Sequence, residues 1–449
     1  MRFWDNKMVI LLSGILLICS LNSFLLANED VKAMTINEAL EIALNQNPSI
    51  LSVRAQHEAT EAKVRTSKSD HFPQLVLSSG YTRHEEPNII IPIHEIGVFP
   101  PLDNDIFYAA SQVKLPLFNG GRTVAAIRAA RASANESAAL EDLTEMQLIE
   151  RIVQIYIQSQ ELQDKEALIN ARLNVLQQRY HELSILLQEG RISPADRSLV
   201  ASSLEATRAD RLEIESLSHQ LAIRLGQLLG TNSPIQPLIF EKKDLKDDDI
   251  LQDTFNIPLK VASPHVRKSR ARLDQAEAQH SQASRSFWPE INGFANYFLH
   301  SGGNLDMFGE WAVGVSITLP IFDGGRRMAN VRAAKASVKA AEEALQSAQQ
   351  AQNASLKIAL EQWQLSNLRQ AHLADAAESK SLSVKAQRQI FEAGRISLSE
   401  LLMQETELMK LQFDERSAAY AGRLAVLFYH ASAGSLTPHL AESIVRSTL

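Results

Sequence analysis

Cysteine is almost missing from this chain, which has one cysteine in 449 residues. Cys19 lies in an apolar run that begins at Met8, follows two basic residues and ends near Ala27. This pattern is typical of a secretory signal peptide over residues 1–27. An uncleaved anchor helix is the alternative, but several serines dilute the run. Ile18 stands where a lipoprotein signal carries a small residue, so acylation of Cys19 is not expected. Removal of the segment excludes disulfides, thiol nucleophiles and cysteine-ligated zinc.

Clusters of basic residues, aromatic residues and long apolar runs are scarce as well. The formal net charge is −7 and no basic block stands out, so nucleic acid is not expected as a partner. Beyond residue 27 no apolar stretch reaches the roughly 18 residues that a transmembrane helix needs. The twelve histidines are scattered, without metal spacing, and neither a nucleophile elbow nor a phosphate-binding loop is present. The sequence therefore predicts no enzyme, cofactor or metal site.

An internal duplication is the main feature that is present. The segment Leu-Pro-Leu-Phe-Asn-Gly-Gly-Arg at residues 115–122 returns as Leu-Pro-Ile-Phe-Asp-Gly-Gly-Arg at residues 319–326, an offset of 204. Upstream, Phe72-Pro73 resembles Trp288-Pro289 at an offset of 216. Because the two offsets differ by 12 residues, one hairpin loop is expected to be longer in the first copy.

Hydrophobic periodicity predicts the same elements in each copy. Alternation with period two predicts strands at 74–83 and 106–118 and again at 290–300 and 310–321. Stretches without a proline beyond the first position predict helices at 36–46, 48–71, 121–188 and 194–230, and then at 264–287, 325–391 and 397–433. The first repeat is therefore 28–230, an inter-repeat linker or equatorial segment is 231–260, and the second repeat is 261–434. The C-terminal tail, 435–449, has no clear order.

The strand lengths point to a membrane. Strands of about ten residues can cross a bilayer at a tilt, but four strands cannot close, since about eight are the minimum for a barrel. An open sheet in hydrocarbon leaves unsatisfied backbone groups that cost several kcal/mol each, so several chains are expected to join. Helices of nearly 70 residues are about 100 Å long and are expected to form a bundle or tube on one side. The alternative is a periplasmic coiled-coil structural protein without a pore.

A family resemblance completes this interpretation. The stretch Thr-Ile-Asn-Glu-Ala-Leu-Glu-Ile-Ala-Leu-Asn-Gln-Asn-Pro at residues 35–48, the two Gly-Gly-Arg segments and the duplicated helical hairpins resemble the TolC-like outer-membrane efflux proteins, over about residues 35–434. The resemblance implies an α+β membrane protein and a homotrimer. It implies a 12-stranded β-barrel with four strands per chain in the outer-membrane lipid, continued by a 12-helix periplasmic α-barrel. The implied function is an exit duct for efflux or type I secretion, working with a periplasmic membrane fusion (adaptor) protein and an inner-membrane efflux pump or ABC exporter.

The resemblance also assigns candidate sites. In relatives, two glycine-containing hairpin turns dock the adaptor and close as an iris, and here the matching residues are Gly190, Arg191, Ile192, Ser193, Gly394, Arg395, Ile396 and Ser397. The alternative is that each turn only caps a helix, although the whole motif recurs at an offset of 204. The expected barrel-to-helix junction comprises Pro116, Gly120, Gly121, Arg122, Pro320, Gly324, Gly325 and Arg326.

Three further residues are candidates for the periplasmic gate. Asp196 and Glu400 each follow a turn glycine by six residues and would form anionic rings in a trimer, which draw cations. Relatives carry a second aspartate where this chain has Met403. Phe391 matches the usual tip tyrosine without its hydroxyl. For Asp196 the alternative is a carboxylate that stabilises a helix N-terminus.

Overall fold

The computed structural model describes residues 33–93, 96–239 and 262–447. The predicted signal peptide and most of the 231–260 linker lie outside the described residues. The first repeat contains β1 (Ala33–Met34), α1 (Ile36–Gln46), α2 (Pro48–Ser69), β2 (Gln74–Ile89), β3 (Leu102–Phe118), α3 (Arg122–Gln188) and α4 (Pro194–Leu228). After β4 (Gln236–Pro237), the second contains α5 (Pro264–Ser284), β5 (Glu290–Ser301), β6 (Phe308–Thr318), α6 (Arg326–Glu392) and α7 (Leu398–Ala433). The chain then adds α8 (Pro438–Arg446).

The two long helices set the dimensions of the helical part. Helices α3 and α6 have 67 residues each, which corresponds to about 100 Å. Each begins directly after a glycine pair and ends just before a single glycine. Between those points neither helix contains a residue that breaks the backbone hydrogen-bond ladder. Of the helices that the structure describes, none is long and apolar enough to cross a membrane.

Shorter helices share the sides of α3. Along its first half, Arg54 of α2 contacts Glu145 at 2.6 Å and Arg267 of α5 contacts Asp142 at 2.8 Å. Along its second half, α4 and α7 take over. Two short helices therefore line one side of a long helix in succession, and the same arrangement places α5 and then α7 beside α6.

The strands form one antiparallel sheet in the order β2, β3, β5, β6. In the β2–β3 hairpin Gln74 lies opposite Lys114, and in the β5–β6 hairpin Glu290 lies opposite Thr318. One face of the sheet is apolar and exposed, and on β6 it consists of Trp311, Val313, Val315 and Ile317. Within the described part of the chain, nothing pairs with the outer edge of β2 or of β6.

The largest core lies where the middle of α3 meets α1, α7 and α8. Tyr156 of α3 is 1% exposed, and its hydroxyl donates to the carbonyl of Met34 in β1 at 2.7 Å. Strand β1 pairs in parallel with β4, which belongs to the segment predicted as a linker. The described start of that segment is therefore part of this packed region. We call the packed region, formed by α1, β1, β4 and α8 around the middle of α3 and the end of α7, the belt.

The structure corrects the tail prediction. Residues 435–449 were expected to lack order, yet α8 spans Pro438–Arg446. Thr437 caps it by accepting from the Leu440 amide, and Pro438 takes the first helical position, where no amide donor is needed. Its buried stripe of Ala441, Ile444 and Val445 docks onto the core.

Several element ends also differ from the predictions. Strands β2 and β3 continue to Ile89 and from Leu102, beyond the predicted 74–83 and 106–118. Strand β6 covers Phe308–Thr318 instead of 310–321, because its partner strand β5 begins at Glu290, which lies opposite Thr318. The helix predicted at 264–287 ends at Ser284 and continues as one 3₁₀ turn, Arg285–Phe287.

Candidate functional site

The two helix-hairpin turns have the same backbone geometry. Gly190 and Gly394 are left-handed, with φ of +70° and +71°. In the first turn the Gly190 amide donates to the carbonyl of Leu187 at 3.0 Å, and the Arg191 amide donates to that of Leu186 at 2.9 Å. The second turn repeats both bonds, from Gly394 to Phe391 and from Arg395 to Ile390. This pair of backbone hydrogen bonds is a Schellman cap, which satisfies carbonyl groups at the end of a helix.

The following helices start in the same way. Ser193 accepts a hydrogen bond from the Ala195 amide at 3.1 Å, and Ser397 accepts one from the Glu400 amide at 3.2 Å. A Cβ added at either turn glycine meets nothing within 4 Å, so only the positive φ calls for glycine there. The cap thus accounts for Gly190 and Gly394. Arg191 and Arg395 contribute only their backbone amides to the caps, and both residues are exposed.

The expected gate residues occupy different environments. Asp196 and Glu400 both lie in the first turn of a helix, half-buried in α4 and exposed in α7. A carboxylate there is stabilised by the free amides of the helix N-terminus, so the capping alternative applies to both. Phe391 is half-buried and packs against the cluster that contains Leu398 and Leu402.

A buried ion-pair network above the turns escaped the sequence analysis. Glu405 of α7 is 4% exposed and accepts from Arg179 of α3 at 3.0 Å and from Arg388 of α6 at 2.9 Å. Burial by itself raises the pKa of Glu405, but the hydrogen bonds and charges of the two arginines outweigh it and hold this pKa below its usual value. One carboxylate thereby joins three helices.

Polar contacts extend the network on both sides. Arg172 of α3 donates to the Thr406 hydroxyl at 2.8 Å, and Lys380 of α6 contacts Glu407 and Gln404 of α7. A cavity of about 250 Å³ lies beside it and is lined in part by Arg172, Arg388 and Glu405. Sequence spacing carries no signal for this cluster, because the residues that contact one another lie up to 234 positions apart.

The first junction between the sheet and a long helix, which was expected to join a barrel to the helices, is closely packed. Gly120 has φ of +64°, and a Cβ there would come within 2.4 Å of the Trp288 Cβ. Arg122 donates to the Glu290 carboxylate at 2.6 Å, and Arg285 donates to the Gly121 carbonyl at 2.8 Å. The second repeat therefore supplies the partners of the first repeat's junction.

The second junction has the same backbone but open surroundings. Gly324 and Gly325 have φ of +66° and +86°, and a Cβ on either would meet nothing within 4 Å. Asp323 accepts from the Arg327 guanidinium at 2.8 Å, whereas Arg326 contributes a backbone bond to Asp323. The two prolines differ as well. Pro116 lies in β3 opposite Asn292, next to a bulge, and Pro320 follows the end of β6.

Comparison with known proteins identifies the architecture. Residues 39–231 and 259–424 match the family model described as outer membrane efflux protein. Protein CyaE of Bordetella pertussis is 24% identical over 420 residues, which cover 90% of this chain and 84% of that protein. Outer membrane protein TolC of Vibrio cholerae is 20% identical, over 69% of this chain and 70% of that protein. The solved CmeC outer membrane channel of Campylobacter jejuni has a TM-score of 0.77 at 16% identity, covering 92% of this chain and 90% of that one.

The matched regions include both strand hairpins, both long helices and both turn glycines. They leave out residues 1–38, 232–258 and 425–449. The resemblance to TolC-like proteins that the Gly-Gly-Arg segments indicated is thereby confirmed. The chain belongs to the outer membrane efflux protein family.

Proposed function

We propose that three copies of this chain form one continuous conduit, the exit duct of an efflux pump or of a type I secretion system. Family membership places the chain in the outer membrane, with a long periplasmic part. Each copy supplies four strands to a 12-stranded barrel and its helices to a 12-helix tube. The alternative, a periplasmic rod without a pore, leaves the exposed apolar face of the sheet without a role.

The observation that carries this proposal is the sheet with two open edges. Strands β2 and β6 expose unpaired backbone groups, and the sheet's apolar face is turned to the surroundings. In hydrocarbon each unpaired group costs several kcal/mol, and closure of the barrel removes that cost. Because four strands are too few to close, further copies supply the rest.

The turns at the far end of the helices suit a docking role. Helices α3 and α6 carry Gly190 and Gly394 about 100 Å from the sheet, and both turns are exposed. Each presents an arginine and a half-buried isoleucine on a rigid Schellman cap. These surfaces are the proposed contacts with a periplasmic adaptor, through which an inner-membrane pump or ABC exporter delivers its cargo.

Extraction and conductance test the conduit itself. The purified protein is expected to need detergent, to run as an oligomer of three chains on SDS gels before heating, and to give channel openings in planar bilayers. A monomer that stays in solution without detergent and gives no openings would support the rod and overturn the conduit.

Gly394→Pro tests the docking surface. Proline fixes φ near −65°, whereas Gly394 has +71° and also donates its amide to Phe391. The variant is expected to lose most crosslinking to the adaptor and most efflux while the oligomer still assembles. Gly97→Pro is the matched control, because Gly97 has φ of +89° in the β2–β3 loop at the opposite end of the sheet. Unchanged efflux in Gly394→Pro would contradict the docking assignment.

A further inference from the structure

The internal duplication relates the two strand hairpins residue by residue. Gln74 lies opposite Lys114 in the first hairpin, and Glu290 lies opposite Thr318 in the second. At the offset of 216, Gln74 corresponds to Glu290, and at the offset of 204, Lys114 corresponds to Thr318. Two offsets read from sequence motifs thus reproduce an observed pairing register. The two hairpins are structural copies, so the strand that pairs with one hairpin indicates which strand pairs with the other.

One side of this comparison is visible within the chain. Strand β3 ends the first hairpin and pairs with β5, which begins the second, with Lys114 opposite Phe294 and Val113 opposite Ala295. The copy of β3 is β6, and the copy of β5 is β2. Since the outer edges of β6 and β2 lie on opposite sides of the sheet, one chain cannot pair them in this way.

We propose that β6 pairs with β2 of the neighbouring copy in the register of β3 and β5, and that Phe72 of that copy completes the junction at Gly324. This inference rests on the proposed conduit and specifies its seam. Applying the offsets to the observed pairs places Thr318 opposite Ser78 of the neighbouring copy and Ile317 opposite Ser79 of the neighbouring copy.

The two faces of the sheet agree with this register. Opposed residues of antiparallel strands lie on the same face. Val315 falls opposite Tyr81 of the neighbouring copy, and both side chains are exposed on the apolar face. Ser316 falls opposite Gly80 of the neighbouring copy, so the face with small and polar residues is also continuous. A shift of one residue would bring apolar side chains opposite this second face.

Applying the two offsets to the first junction also explains why the second junction is open. Within the chain, Trp288 lies against Gly120 and meets Phe118 edge to face, with ring centroids 6.4 Å apart. The corresponding residues are Phe72, Gly324 and Phe322. Phe72 is 65% exposed and Phe322 is 88% exposed, and Gly324 has free space around it. Each residue of the packed junction therefore has a counterpart. Phe72 lies beside β2 at one edge of the sheet, whereas Phe322 and Gly324 lie beyond β6 at the other edge.

Two polar interactions do not carry over. The guanidinium that donates to the Gly121 carbonyl belongs to Arg285, and its counterpart at the offset of 216 is Ser69. Arg122 pairs with Glu290 inside the chain, whereas Arg326 would face Gln74 of the neighbouring copy. The seam between copies is therefore held by strand pairing and by the aromatic contact, without this ion pair. We expect salt to affect it little, since salt screens pairs of exposed charges far more than apolar contacts.

Disulfide crosslinking measures the register directly. Ser79→Cys with Ile317→Cys, and separately Ser78→Cys with Thr318→Cys, place cysteines on opposed positions of the proposed seam. Opposed pairs alternate between wide and narrow spacing, so one of the two double variants provides a narrow pair. In the assembled protein in detergent, oxidation is expected to give covalent dimers and trimers on heated, non-reducing gels for at least one of them.

A register-shifted pair is the matched control. Ser79→Cys with Val313→Cys keeps the same face but moves one cysteine by four residues, about 13 Å along the strand, beyond the reach of a disulfide. Variants with only one added cysteine measure any background crosslinking through Cys19. Crosslinking of the shifted pair instead of the proposed pairs would overturn the register while leaving the conduit standing. Monomers in detergent for the parent protein would overturn the conduit itself.

A mutant cycle tests the aromatic contact. Phe72→Ala and Phe322→Ala are each expected to lower the temperature at which the SDS-resistant oligomer dissociates. The double variant should lose less than the sum of the two, because both remove one contact. Phe99→Ala is the control, since Phe99 is an equally exposed aromatic in the loop that the second repeat lacks. Additive losses, or none, would overturn the role of Phe72.

Discussion

At the residue scale, the informative side chains are buried charges and one buried imidazole. Glu405 contacts Arg179 and Arg388 across three helices, with 4% of its surface exposed. Such a cluster contributes little net stability relative to apolar packing, but it is sensitive to loss of one member, because the other charges stay buried without a partner. It connects α3, α6 and α7 above the turns.

Glu405→Gln is expected to destabilise the helical part by about 3 kcal/mol, since Arg179 then lacks a counter-charge. Glu407→Gln, two residues further along the same helix, is the matched control. Its carboxylate is 58% exposed, and such pairs are worth less than about 1 kcal/mol. Denaturant titration of both variants measures the difference. Equal midpoints would show that the network contributes nothing.

The pH dependence of this cluster has a defined sign. The pKa of Glu405 is lowered in the folded protein, so its charge contributes stability that is fully present above the unfolded value of about 4.5. That contribution is lost as the pH falls further. Below about pH 4 the parent protein should therefore lose more of its stability than Glu405→Gln does. Parallel unfolding curves of the two proteins in acid would contradict this.

His430 titrates in a different window. It is 1% exposed, and burial lowers its pKa from 6.5 to about 4. Below pH 6.5 the unfolded chain binds a proton that the folded chain rejects, so stability falls between pH 6.5 and 4, by up to about 3 kcal/mol. His430→Gln is expected to flatten this slope, as followed by thermal unfolding at pH 7 and pH 5. The same slope in the variant would contradict the assignment.

At the element scale, α8 shows why a terminal segment belongs to the fold. Gln160 of α3 donates to the Val445 carbonyl at 3.2 Å, and Arg423 of α7 donates to the Gln160 side chain at 3.0 Å. Ile444 is 1% exposed in the largest core. The helix thus joins the middle of α3 to the end of α7 and closes the belt around the helices.

Ile444→Ala is expected to cost about 3 kcal/mol, because a fully buried side chain leaves a cavity. His439→Ala in the same helix is the control, since His439 is exposed. The denaturant midpoint of each variant measures the effect. A midpoint for Ile444→Ala equal to that of the control would show that α8 does not anchor the belt.

The elements also show which local signals can be read without a structure. Helix α1 begins at the capping box Thr35 to Glu38, in which each side chain bonds the other's amide, and this is legible in four residues. The end of β6 at Thr318 cannot be predicted from the sequence in the same way, although Pro320 follows it closely. Alternating apolar residues continue to Ile321, and the pattern alone does not say where the partner strand stops.

At the scale of the whole molecule, ion preference is a property of the proposed conduit of three copies. Glu400 is exposed one turn into α7, and three copies place three carboxylates around one axis in the proposed conduit. Such a ring attracts cations. The missing second acidic position, Met403, leaves this ring without the companion that relatives carry.

Glu400→Ala is expected to reduce cation preference, seen as a shift of the reversal potential in planar bilayers under a salt gradient. Glu277→Ala removes the same charge from an exposed position on α5 and is expected to leave the potential unchanged. A conductance and reversal potential identical to the parent in Glu400→Ala would remove Glu400 from the gate.

The duplication, the long helices and the turns were determined by the sequence itself, because period, glycine and proline act over a few residues. The recurrence of Gly-Gly-Arg at an offset of 204 is enough to show the internal repeat. Only the tertiary structure decided that Glu405 meets Arg179 and Arg388, that α8 docks, and that the Gly120 junction is filled while the Gly324 junction is open. These contacts join residues far apart in the chain, and their energies depend on burial that no local pattern encodes.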